Sequence, residues 1–302
     1  MSRLAKGEAR SIQMRERGNV GKERLIGVGR GAYALLLISQ GILEVHYGAF
    51  RPALLPEWPL QLPGGGVIAR IVGAVFVAAG VVVMTNTGVR KIALAVGSLF
   101  LASAVFCQLP SAVAQHSFHV LAWSGPFAAL IVAGCSFLVA ASSSRKESAG
   151  MARRPPDRVA ALGRVCFCLT VLRYGLGHFL HTRHDAALIP AWIPWHTFWI
   201  YFTGAALVGS GAAILAGIYD RPIAVLLCTM IGLWVVLLHI PRAVTDPHGG
   251  QGNEIESAAQ ALADSGAALL IACLPAGYER RRAKSGAAEE AATEEASAVL
   301  GD

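Results

Sequence analysis

Charge is what this 302-residue chain has least of: Asp, Glu, Lys and Arg make up only 15% of it, while 54% is hydrophobic. Soluble domains carry roughly 25% charged residues, so the composition, with a mean hydropathy of +0.52, excludes a water-soluble enzyme and a disordered chain. Cysteine is equally sparse in pattern. Cys107, Cys135, Cys166, Cys168, Cys228 and Cys273 form no Cys-x-x-Cys pair, which excludes a secreted disulfide scaffold and speaks against dithiol chemistry. A phosphate-binding loop and a dinucleotide fingerprint are missing too, and no order of Ser, His and Asp suggests a triad.

What the chain has is long apolar runs. A membrane helix needs about 20 mostly apolar residues, and eight stretches qualify: Leu25 to His46, Val67 to Thr85, Lys91 to Leu109, Phe118 to Ala141, Val159 to His181, Trp195 to Gly217, Pro222 to Ile240 and Glu256 to Pro275. The runs do not alternate as β-barrel strands do. The first follows a basic tail, is too long for a signal-peptide core and lacks a small-residue cleavage site, so it is expected to be retained. Pro56, Pro59, Pro190, Pro194, Pro110 and Pro241 are expected to end spans or shape re-entrant turns.

The 26 Lys and Arg residues are unevenly placed. Nineteen lie in the N-terminal tail, the connections after spans two, four and six, and the C-terminal tail; only Arg51, Arg183 and Arg242 lie in the other connections. Positive residues stay on the cytoplasmic side, so both termini are expected in the cytoplasm, with the protein integral to the cell (inner) membrane. The net charge of +7 then reflects topology and calls for no nucleic-acid partner.

The chain also repeats itself. Gly41-Ile42-Leu43-Glu44 followed by Leu54-Leu55-Pro56 corresponds, 134 residues on, to Gly175-Leu176-Gly177-His178 followed by Leu188-Ile189-Pro190. Beyond Pro63-Gly64-Gly65-Gly66 the offset becomes 131, pairing Gly73 with Gly204, Arg90 with Arg221, and Leu109-Pro110 with Ile240-Pro241. Near the end, Trp123-Ser124-Gly125 pairs with Asp264-Ser265-Gly266. The expected architecture is all-α and polytopic, with eight transmembrane helices as two tandem four-helix bundles related as a parallel repeat. Its parts are a basic tail (1–24), a first unit (25–141), a linker (142–158), a second unit (159–276) and a C-terminal tail (277–302).

The second unit carries Arg164, Gly177-His178-Phe179, the run Leu188 to His196, Tyr201-Phe202-Thr203-Gly204, His239-Ile240-Pro241-Arg242 and Asp246-Pro247-His248…Asn253-Glu254 ahead of an Ala/Gly-rich helix. In these residues it resembles the DoxX family of small four-helix membrane proteins. The first unit departs from the pattern, with Glu44 in place of His178, Gln108 in place of His239 and Trp123 in place of Asp264. The resemblance implies an accessory role beside membrane oxidoreductase subunits, with an outer-leaflet pocket for a quinone or another amphipathic small molecule. Two other roles stay open: a component of a quinone-linked oxidoreductase, and a small-molecule or ion transporter built from the parallel repeat.

Six residues of the second unit form the expected ligand site near the outer face: Arg173, His178, His181, Tyr201, His239 and Asp264. Arg173 lies about 13 residues into span five, on the order of 20 Å deep, where a guanidinium is costly and needs an acceptor. Asp264, about 8 residues in from the other side, is the expected partner at matched depth. Glu256, Gln260 and Asp264 recur every four residues as one polar stripe. His178 and His181 are one turn apart and are expected to face one way. A metal needs three convergent ligands, and two histidines on one helix do not supply them. The plainer alternative for His116, His119, His184, His196 and His248 is an interfacial role, as for Trp58, Trp192, Trp195 and Trp199. A structural polar cluster that sets helix register is the plainer alternative for the site itself.

Overall fold

A computed structural model describes residues 2–56, 64–114, 123–147 and 158–274 of the chain. Trp58, His116 and His119, most of the 142–158 linker and the 277–302 tail lie outside the described residues. The described chain is helical: α1 (Ser2–Tyr47), α2 (Gly65–Met84), α3 (Val89–Ala114), α4 (Ser124–Glu147), α5 (Arg158–Leu180), the short α6 (Thr182–Leu188), α7 (His196–Ala216), α8 (Asp220–Thr245) and α9 (Asn253–Cys273). Seven of these are long and apolar enough to cross a membrane: Gly18–Tyr47 within α1, α2, α3, Ser124–Ser143 within α4, α5, α7 and α8.

Helix α1 corrects the boundary expected at Leu25, because it runs unbroken from Ser2. The tail contains Ala, Arg, Lys, Glu, Gln and Met and no proline, and these are the strongest helix formers. The prolines correct a second expectation. Pro110 and Pro241 do not end their helices; each follows a single π-helical turn, Ala104–Gln108 in α3 and Val235–His239 in α8. The amide of Leu109 reaches back to Ala104 O, and that of Ile240 to Val235 O. Proline lacks an N–H and its ring collides with the carbonyl four residues back. Widening the preceding turn by one residue removes that collision and lets the helix continue. The two turns sit 131 residues apart.

The helices form a ring around two central ones. Helix α1 packs on α2 and on α9, α9 on α8, α7 on α5, α5 on α4 and α4 on α3, while α4 and α9 meet across the centre. Contacts between α2 and α3, and between α7 and α8, are sparse. One hydrophobic core therefore runs through both halves, from Leu37, Phe76 and Phe100 to Phe167, Leu227 and Ile271. The last helix of each half is seated on the first helix of the other. This differs from two bundles that each close on their own core. The reason is visible in the small residues. Gly29 and Gly266 bring α1 and α9 together, and Gly134 and Gly163 do the same for α4 and α5. These flat faces admit close backbone approach across the two halves.

Gly266 lies in mid-α9 against α1, and the residue in the matching place against α5 is Gly134. Trp123-Ser124-Gly125 instead opens α4, where Gly125 abuts the Gln108 side chain.

Candidate functional site

The site is a cavity of about 490 Å³ enclosed by α4, α5, α7, α8 and α9, with Pro52 and Ala53 of the α1–α2 connection completing its wall. Ile131, Val171, Leu207 and Ile231 make its apolar side, and Glu256, Gln260 and Asp264 of α9 make its polar side. The i, i+4, i+8 spacing places those three on one stripe of the helix.

Why the cavity lies in the second half follows from the sequence correspondence. At offsets of 134 and 131, Val171, Leu207 and Ile231 answer to Leu37, Phe76 and Phe100 of the first half. There the two phenylalanine rings lie 5.8 Å apart and both are fully buried. The connection after α1 folds in beside them. Leu54 is buried, the Ser103 hydroxyl donates to its carbonyl, and the Gln108 amide donates to Pro52 O at 2.6 Å. Replacing two aromatic rings by Leu and Ile removes volume that close packing would otherwise fill.

Of the expected site residues, the cavity lining includes His178, His239 and Asp264 but not Arg173, His181 or Tyr201. Val171, Tyr174 and His178 share the cavity-facing stripe of α5. His178 Nδ1 lies 2.8 Å from Tyr174 O, which one turn of helix dictates. His181 lies on the neighbouring stripe, with Nδ1 3.3 Å from Gly177 O. Tyr201 is half-exposed on α7 and stacks on Phe179 at 5.8 Å. Arg173 lies over the Phe127 ring at 6.0 Å. The expected Arg173–Asp264 pair is not formed. Asp264 Oδ1 accepts a hydrogen bond from Gln260 Nε2 at 2.7 Å and a weaker one from Cys135 Sγ at 3.6 Å. The physical reason is angular: Arg173 precedes Tyr174, so it points about 100° away from the cavity stripe.

Charge compensation comes instead from Arg51. Its side chain is 3% exposed. Nε and Nη2 both donate to Glu256 Oε2, Nη1 donates to Gln251 O at 2.7 Å, and its backbone N–H donates to Glu44 Oε1 at 3.2 Å. One guanidinium of the first half thus anchors the polar wall of a cavity in the second. By sequence it is merely one of the few cations in the less basic connections; its partner is 205 residues away. Tyr174, Thr203 and Trp234 also line the cavity and carry no motif that would single them out. Among the described residues no group of three His, Cys, Asp or Glu could hold a metal ion.

Beside the cavity, Arg242 at the end of α8 pairs with Glu254 at the start of α9, and its Nη1 reaches Leu188 O at 3.5 Å. Glu254→Gln is therefore expected to lower the thermal midpoint at pH 7, and by less at high salt, which screens a partly exposed pair. The effect should be about 1 kcal/mol or less. A midpoint loss independent of salt would refute the assignment.

In comparisons with family models, curated proteins and solved structures, nothing matches this chain.

Proposed function

We propose that the protein is an eight-span membrane protein, with both termini cytoplasmic, that holds a quinone or another amphipathic small molecule in the cavity of its second half. In this reading it is an accessory subunit of a membrane redox system and has no catalytic activity of its own. The cavity carries the reading: one wall is apolar, the other lines up Glu256, Gln260 and Asp264, and few other arrangements suit a molecule with a polar head and an alkyl tail. The accessory role rests on the resemblance to the DoxX family.

Helix α9 is the eighth span. Its 21 residues reach about 31 Å at 1.5 Å per residue, the thickness of a hydrocarbon core. Its acidic residues lower its apolarity; Glu256 and Asp264 face the cavity, and Glu254 pairs with Arg242. The two four-helix units descend from one duplicated unit, which the matched π turns and the paired glycines support. Sparse packing between α7 and α8 leaves the cavity nearest to the bilayer on that side, which suits a ligand delivered from the membrane.

The test restores the first half's packing in the second. Leu207→Phe with Ile231→Phe should fill the cavity with side chains that the fold already accommodates at 76 and 100. Mass spectrometry of protein extracted in mild detergent should find an amphiphile with the wild type and at least tenfold less of it, on the order of 1.4 kcal/mol, with the double variant. An identical small-molecule complement in both would overturn the proposal.

A further inference from the structure

We infer that the cavity selects an amphiphile whose head is a protonated amine, an inference that rests on the ligand-binding reading above. The lining holds three carboxyl groups, Asp185, Glu256 and Asp264, and no lysine or arginine. Only Glu256 has a cation, because Arg51 grips its Oε2 from outside the lining. Asp264 is 7% exposed; its Oδ1 takes the contacts from Gln260 and Cys135, and its Oδ2 accepts no hydrogen bond from any described residue. An acceptor left open in a cavity wall takes its donor from whatever fills the cavity.

Three of the donors that could serve a neutral carbonyl head are committed elsewhere, while the Asn253 amide and the Trp234 indole of the lining also carry N–H groups. His178 Nδ1 lies 2.8 Å from a carbonyl oxygen, so that nitrogen carries the hydrogen and a neutral ring turns Nε2 outward as an acceptor. The Thr203 hydroxyl donates to Trp199 O and Ile200 O. One Gln260 N–H is taken by Asp264. Tyr174 and Ser257 hydroxyls can play either part. The lining thus pairs carboxyl groups with no cation of its own.

An ammonium matches such a lining, with three N–H donors and one positive charge. Its bond to a carboxylate is charge-assisted and stronger than a neutral one. Tyr174 and Trp234, which line the same space, offer aromatic faces to a cation. A quinone head brings acceptors alone and has no donor for the open Asp264 oxygen. A fatty acid would bring a further anion.

The test uses the full-length protein in nanodiscs of zwitterionic lipid, with octylammonium, octanol, octanoate and decylubiquinone as probes at neutral pH and calorimetry as the readout. Octylammonium should bind at least about tenfold tighter than octanol, the worth of one charge-assisted hydrogen bond, and octanoate should not bind. Asp264→Asn should cost octylammonium at least that factor and leave octanol unchanged. Should that variant fail to fold, the wild-type ranking decides alone. Decylubiquinone or octanol binding as tightly as octylammonium would overturn the amine head and leave the ligand cavity standing. No binding by any of the four would overturn both.

Discussion

Arg51→Met is expected to be among the most destabilising single changes in the protein. It removes the guanidinium that compensates Glu256, next to buried Glu44, whose hydrogen bond from the residue 51 backbone N–H survives the change. Breaking a buried ion pair by removing one partner costs about 3–5 kcal/mol, because the remaining charge has lost its compensation and cannot return to water. Arg51→Lys should recover only part of this. An ammonium cannot place two parallel N–H groups on Glu256 Oε2 while also reaching Gln251 O. The triple change Arg51→Met, Glu44→Gln, Glu256→Gln should be more stable than Arg51→Met alone, since it removes the stranded charges with their partner. The measurement is the unfolded fraction against rising denaturing detergent. A loss for Arg51→Met below about 1 kcal/mol, the range of exposed pairs, would show that the triad is not closed as described.

Gly41→Leu should stop the fold from forming. A Cβ on Gly41 would collide with the Gly73 carbonyl of α2, and with Val77 beyond it. The obstacle is backbone, which cannot swing aside, so the two helices would have to separate along a face that also carries Phe76 and Leu37. Even Gly41→Ala should cost about 1–3 kcal/mol, the usual range for overpacking. Gly175 is the counterpart in the second half, where a Cβ would come within 2.8 Å of Gly204 O, and Gly175→Leu should fail likewise. Gly209→Ala is the control, since nothing lies within 4 Å of the added carbon. Yields of folded protein after extraction should separate the pairs from the control; normal yield for Gly41→Leu would mean that α1 and α2 are farther apart than this.

The all-helical, membrane-spanning character was legible in single residues. Seven long apolar runs are a local property, and a backbone in lipid must satisfy its hydrogen bonds within each segment. The polar stripe of α9 was equally legible, because Glu256, Gln260 and Asp264 follow helical spacing whatever surrounds them. So were the paired Leu-Pro and Ile-Pro steps, although their effect was not. A proline in an apolar run reads as a stop, and only the matched π turns at 104–108 and 235–239 reveal how the helix continues through it.

What the tertiary structure alone decided is who faces whom. Arg173 and Asp264 were expected at matched depth, yet depth along the membrane does not fix rotation about a helix axis, and a shift of one residue turns a side chain by about 100°. That rotation gave the cavity stripe to Tyr174 and His178 and sent Arg173 to Phe127. It also split His178 from His181, one turn apart in sequence but on neighbouring stripes. Arg51 could not have been matched to Glu256 from sequence, because the pairing needs α9 to sit on α1, across the two halves. The position of the cavity stands between these cases. Leu207 and Ile231 answer to Phe76 and Phe100 in the printed sequence, but two smaller side chains make a void only if their neighbours converge on one point. Convergence is a property of packing, and no single helix contains it.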